Sequence, residues 1–183
     1  FGKDIVATCD RRQLGQDPLR VCFLTTNRAD YGLLRPLMVA ASRDLRVSPT
    51  LIVTGSHLEP AYGGTVKEIQ DDGFQIDHRV PVDFGDASPA CTARVFGQTA
   101  LAMASVLEEA SPEILIVLGD RSETLAVASC AVIVGIPVAH ISGGEITSGS
   151  FDDNFRNAIS MMASLHFVGR EEHRVRLLKM GLD

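Results

Sequence analysis

The chain has 183 residues, 45% hydrophobic and 22% charged, an ordinary globular balance that excludes a disordered chain, a collagen-like fibre and a pure coiled coil. At about 100–200 residues per domain this is one domain, large enough to bury roughly 70% of its unfolded surface. Seventeen basic against 23 acidic residues give a net charge of −6, and with no Trp and 5% aromatics the composition argues against a nucleic-acid scaffold or a base-stacking platform.

Residues 1–19 form a mixed polar lead-in that ends in Gly15-Gln16-Asp17-Pro18; residues 20–183 read as one domain. Val21–Thr25 is a short apolar run and predicts a buried strand. Helical spacing follows from Asp30 to Leu45 through Leu33, Leu34, Leu37, Met38 and Ala41, with Pro36 expected in the first turns, where a missing N–H is tolerated. Thr50–Thr54 predicts a second strand, Tyr62–Gln70 a helix stopped by Asp71-Asp72-Gly73, and Gln75–Val82 a third, less apolar strand. Thr92–Glu109 predicts a long amphipathic helix whose apolar positions include Val95, Leu101, Ala102, Val106 and Leu107; these read as core packing. Ile114–Leu118 is the clearest strand. Glu123–Val134 (helix), Pro137–Ile141 (strand), Asp152–Ser164 (helix), His166–Val168 (strand) and Glu171–Met180 (helix) complete the pattern. Strands that are continuous apolar runs and alternate with helices indicate a sheet buried on both faces. The fold class is α/β, a doubly wound, mainly parallel, Rossmann-like sheet.

Cys9, Cys22, Cys91 and Cys130 form no CxxC pair, so a structural zinc site is not expected. Cys22 and Cys130 lie in apolar runs and read as small buried hydrophobes in a reducing, cytoplasmic setting. The longest apolar stretch, around Ala126–Ala139, is too short and broken for a membrane span. No secretory h-region is visible near the start, and Phe1 in place of an initiator Met suggests a piece of a longer chain. No GxGxxG follows the first strand, which disfavours NAD or FAD, and no GxxxxGK[ST] is present. The histidines lack HxxxH or HExxH spacing, so neither metal nor cofactor is expected.

In an open parallel sheet, ligands bind outside the carboxyl ends of the strands. Four successive strand ends carry polar and glycine clusters: Thr26-Asn27-Arg28-Ala29-Asp30-Tyr31, Thr54-Gly55-Ser56-His57-Leu58, Gly119-Asp120-Arg121-Ser122-Glu123 and His140-Ile141-Ser142-Gly143-Gly144-Glu145. Each has a plain structural reading: Gly-Asp is a common turn and helix cap, and a lone histidine is more often solvated or a satisfied core group. Arginines, histidines and carboxylates gathered together suit an anionic, sugar-like ligand.

With Gly149-Ser150-Phe151-Asp152-Asp153 and Arg156, these ordered motifs resemble the UDP-N-acetylglucosamine 2-epimerases, most closely the hydrolysing branch that forms N-acetylmannosamine for sialic and related nonulosonic acids. The resemblance runs from about Arg20 to Gly181. It implies the N-terminal half of a GT-B-like enzyme with two Rossmann-like domains, a second domain beginning near Asp183, no metal or nicotinamide, a UDP-sugar substrate and a homo-oligomer. It implies loss of UDP from C1 and a proton from C2, then addition of water to a 2-acetamidoglucal. Asp120, Glu145 and Asp152 are its catalytic candidates; Arg28, Asp30, His57, Arg121, Ser142 and Arg156 are its substrate-binding candidates. The sequence departs from the family pattern at Ser142, where many relatives carry Glu, and at Asn157, where His is common. A non-hydrolysing epimerase and a non-catalytic sugar-nucleotide-binding module are the alternatives, and the chain alone is expected to lack turnover.

Overall fold

The structure is a computed structural model and describes residues 17–86, 88–147 and 151–182. Cys9, most of the lead-in, and Gly149-Ser150 of the last motif lie outside these residues. Alternation of buried side chains builds the centre of the fold. Strand β1 (Leu19–Thr25) sends Cys22 and Leu24 into one apolar cluster and Val21 and Phe23 into another. β2 (Val47–Thr54) divides Ile52 from Leu51 and Val53 in the same way, and β4 (Ile114–Leu118) divides Leu115 and Val117 from Ile114. A strand with period-two side chains and apolar residues on both faces must be covered on both.

Among the described residues, six strands, all paired in parallel, lie in the order β3-β2-β1-β4-β5-β6. Here β3 is His78–Val80, β5 is Val138–Ile141 and β6 is Leu165–Phe167. Helices α1 (Arg28–Arg43) and α2 (Val66–Asp71) contribute Leu34, Met38 and Ile69 to one face. Helices α3 (Pro89–Ala110), α4 (Ser122–Ile133) and α5 (Asp152–Met162) contribute Met103, Leu107, Val127, Ala131 and Ile159 to the other. A last helix, α6 (Glu171–Lys179), follows β6. The chain runs outward from β1 to β3 and returns through α3 to β4, so the sheet reverses direction between β1 and β4. That reversal opens a crevice at the carboxyl ends of the strands.

Most elements fall where expected, with β4 matching residue for residue. The expected helix over 62–70 is two pieces: a 3-10 turn (Pro60–Tyr62) and α2. Gly63 and Gly64 separate them with φ of 88° and 57°, left-handed values that end a helix. Pro36 is the ninth residue of α1, not part of its first turns, because Asn27 caps the helix earlier than expected. Pro36 has no N–H to offer the Gly32 carbonyl, and both residues are exposed. The third strand shortens to β3, an edge strand.

Cys22 is fully buried and its thiol is pushed up to about 12, first by desolvation and then by the nearby Asp77 charge. Cys130 is half-buried and its thiol is also raised by burial. Among the described residues, α3 is the one helix long and apolar enough to cross a membrane. Its Cys91, Val95, Thr99, Met103 and Leu107, four residues apart, are buried in this domain, whereas Leu101 is exposed.

Candidate active site

The loop after β1 is built around one carboxylate. Asp30 Oδ2 accepts hydrogen bonds from Thr26 N (2.9 Å), Thr26 Oγ1 (2.7 Å), Asn27 N (3.1 Å) and Asn27 Nδ2 (3.0 Å). Oδ1 accepts from the Thr25 hydroxyl. Asn27 Oδ1 in turn accepts from Ala29 N and Asp30 N and completes a capping box, which satisfies free donors of the first turn. Burial nevertheless raises the Asp30 carboxyl above its usual value, outweighing the hydrogen bonds that pull it down.

His57 lies behind this loop, fully buried. Since Thr25 donates to Asp30, it accepts from His57 Nε2 (2.9 Å), and His57 Nδ1 accepts from Thr65 Oγ1 (2.7 Å). The network therefore assigns a neutral imidazole protonated on Nε2. Desolvation lowers its pKa to about 4, in accord with that assignment. Gly55 closes the seam between β1, β2 and α4. A Cβ there would sit 2.4 Å from Thr26 O and 3.2 Å from Glu123 Oε1.

On the other side of the crevice, Arg156 of α5 joins three segments. Its Nη2 donates to Asp120 Oδ2 and to Thr147 Oγ1 (3.0 Å), and its Nη1 to Glu145 Oε2 (3.4 Å). The Arg156 side chain is 7% exposed, against 21% for Asp120 and 36% for Glu145. A buried cation thus sits between two partly exposed carboxyl groups and offsets the repulsion between them. Asp120 Oδ1 accepts no hydrogen bond among the described residues.

His140 supports this cluster from β5. Its Nε2 donates to Gly119 O (2.8 Å), so Nδ1 accepts from Ser160 Oγ (3.0 Å). Burial, foremost, depresses it to about 4. Gly143 and Gly144 let the following loop pass close to its neighbours: a Cβ would meet Ser160 Oγ at 2.8 Å and His173 O at 2.5 Å, respectively. Ser142 adopts φ 66° and donates its backbone N–H to Phe167 O (2.9 Å). Asn157 is carried by α5 with its Oδ1 buried and without a hydrogen-bond partner among the described residues.

A cavity of about 260 Å³ opens where α4 and α5 begin, lined in part by Arg121, Glu123, Asp152, Tyr62 and Phe84. The structure thus brings Asp120, Glu145 and Arg156 into direct contact and places Arg121 and Asp152 on the cavity wall. Arg28 turns away to pair with Glu68 (3.0 Å), at 73% exposure. Asp30 and His57 are buried behind the loop they hold. Glu123 was not singled out from sequence, yet it is buried, accepts from Ser122 Oγ (2.7 Å) and lines the cavity. An acidic residue in a helix's first turn is common, so no sequence signal separates it from an ordinary surface Glu. Among the described residues no group of His, Cys, Asp and Glu is placed to hold a metal ion.

The sequence profile described as UDP-N-acetylglucosamine 2-epimerase matches residues 40–183. A UDP-N,N'-diacetylbacillosamine 2-epimerase (hydrolyzing) from Legionella pneumophila is 39% identical over 88% of this chain and 43% of its own length. A GDP/UDP-N,N'-diacetylbacillosamine 2-epimerase (hydrolyzing) from Campylobacter jejuni is 36% identical over 88% of this chain and 42% of its own. The crystal structure of a UDP-GlcNAc 2-epimerase from Neisseria meningitidis, bound to UDP-GlcNAc, superposes with a TM-score of 0.80 at 19% identity, over 90% of this chain and 44% of that one. The chain spans less than half the length of these relatives. Its Rossmann-like sheet is therefore the fold of one half of them, and the chain belongs to the UDP-N-acetylglucosamine 2-epimerase family.

Proposed function

We propose that the natural full-length polypeptide is a hydrolysing 2-epimerase of a UDP-activated 2-acetamido sugar. The observation that carries this reading is the Arg156 clamp between Asp120 and Glu145, beyond the carboxyl ends of β4 and β5. Inversion at C2 through elimination requires a proton to leave from one face and return to the other, and two carboxylates bridged by one cation supply two groups for that task. Asp120, with Oδ1 unengaged, removes or returns the C2 proton, and Glu145 serves the opposite face. The C2–H electrons form the C1–C2 double bond as the C1–O bond to UDP breaks. Water then adds at C1 and a proton at C2, so that UDP-sugar plus water gives UDP and the free 2-epimer.

Arg121, exposed on the wall, stabilises the departing diphosphate, and Asp152 holds a sugar hydroxyl. Asp30 and His57 act by shaping the Arg28 loop rather than by touching the ligand. No step calls on a metal or nicotinamide. The names of the Legionella and Campylobacter relatives support a hydrolytic outcome and a diacetamido sugar, and the Neisseria neighbour supports a UDP-sugar ligand. The active form is a cytoplasmic homo-oligomer in this reading. In the full-length protein, Asp120→Asn should lower release of UDP by about 10²–10⁴-fold with an unchanged circular dichroism spectrum. Unaltered turnover overturns the role given to Asp120.

A further inference from the structure

Arg156 of α5 reaches Glu145 through one oxygen, Oε2 (3.4 Å). The other, Oε1, lies toward α6, where the His173 side chain, 18% exposed, brings Nδ1 to 4.0 Å from it. That Nδ1 is buried and has no hydrogen-bond partner among the described residues. The second ring nitrogen, Nε2, lies 4.0 Å from Glu172 Oε1 on the same helix, and Arg170 holds Glu172 at 3.2 Å. The backbone fixes the ring's place. A Cβ on Gly144, the residue before Glu145, would stand 2.5 Å from His173 O and 3.1 Å from Leu177 Cγ. The first turns of α6 therefore rest directly on the loop that carries Glu145.

We propose that His173 is a positioning residue for Glu145: with substrate bound, its Nδ1–H donates to Oε1 and fixes the carboxyl group between α5 and α6. The proposal rests on the 2-epimerase reading above, in which Glu145 exchanges a proton at C2. A separation of 4.0 Å is too long for a hydrogen bond. Rotation of the partly exposed Glu145 side chain, or one bridging water, closes it, and contacts of this kind commonly tighten in the Michaelis complex. A buried ring nitrogen without a partner is costly, which favours the approach. The ionisable groups facing the ring are Glu145 from the loop after β5 and Glu172 from α6, with Arg156 and Arg170 on their far sides. A carboxylate at Nδ1 favours the proton on that nitrogen.

The test follows UDP release from UDP-N,N'-diacetylbacillosamine as a function of pH in the full-length polypeptide, unaltered and as His173→Leu and His173→Asn. Asn places an amide donor where Nδ1 stood but cannot ionise; Leu keeps bulk without a donor. Leu should lower kcat by about 10-fold to 100-fold while KM stays within about twofold. It should also move the acidic limb of the kcat profile, which reports the Asp120–Glu145 pair, to higher pH by about half a pH unit, because a carboxylate that loses a donor protonates more readily. Asn should recover most of both. An unchanged kcat or an unmoved limb in the Leu variant overturns the proposal and leaves the reaction standing. Equal losses in both variants, with a lowered Tm, assign His173 to packing alone and also overturn it. Absence of turnover by the unaltered protein overturns the 2-epimerase reading and the proposal together.

Discussion

Arg156→Met removes the guanidinium that joins Asp120, Glu145 and Thr147 but keeps an unbranched side chain in its place. The native side chain is 7% exposed and makes hydrogen bonds to all three residues. Taking one partner from a buried ion pair costs about 3–5 kcal/mol, mostly because a charge is left uncompensated. Asp120 and Glu145 retain 21% and 36% side-chain exposure, so water recovers part of that solvation and the loss should lie near the low end, about 3 kcal/mol. For a domain of this size each kcal/mol moves Tm by about 2–4 °C. Thermal unfolding followed by circular dichroism at pH 7 should therefore show Tm lower by about 6–12 °C. Adding Asp120→Asn to Arg156→Met removes one stranded charge, and a double-mutant cycle should give a coupling of about 1–2 kcal/mol. A Tm within about 2 °C of the native value, or strictly additive effects, would refute the view that Arg156 is what holds the two carboxylates together.

Two further perturbations probe the supports of the site. His140 is depressed to about 4 in the folded chain from an ordinary 6.5, so the unfolded chain binds more protons between those values. Its contribution is complete above pH 6.5 and is lost as pH falls towards 4, roughly 3 kcal/mol at 1.36 kcal/mol per unit. His57 acts in the same direction, whereas Asp30, raised in the folded state, opposes them and gains stability on acidification. Urea midpoints at pH 7 and 4.5 should therefore differ less in His140→Gln than in the native chain; equal differences contradict the buried neutral imidazole. Gly55→Ala places a Cβ 2.4 Å from Thr26 O at φ +64° and should cost about 2 kcal/mol or more in urea unfolding; a loss below about 0.5 kcal/mol would mean that the seam between β1, β2 and α4 is not tight.

Local signals made the sheet legible. Ile114–Leu118 is a continuous apolar run between turn residues, and such a run has one economical solution in a doubly wound fold. Where the reading slipped, backbone detail intervened: Gly63-Gly64 cuts a pattern that is helical in its apolar spacing, and Asn27 with Asp30 starts α1 two residues early. The site was legible as a set of strand-end motifs because parallel topology gathers those ends on one edge. Division of labour within it was not. Arg28 and Arg156 are the same residue type near the starts of two helices, α1 and α5, yet one side chain is 73% exposed and the other 7%, a difference made by packing of α5 on the sheet.

The hydrolytic 2-epimerase reading is tested most directly by product NMR. The full-length polypeptide should be incubated with UDP-N,N'-diacetylbacillosamine in deuterated water. UDP and a free manno-configured sugar bearing deuterium at C2 are expected, since elimination exchanges that position with solvent and water cleaves the sugar from the nucleotide. A 2-epimer still attached to UDP would contradict hydrolysis, and a free sugar with protium at C2 would contradict proton removal by the Asp120–Glu145 pair.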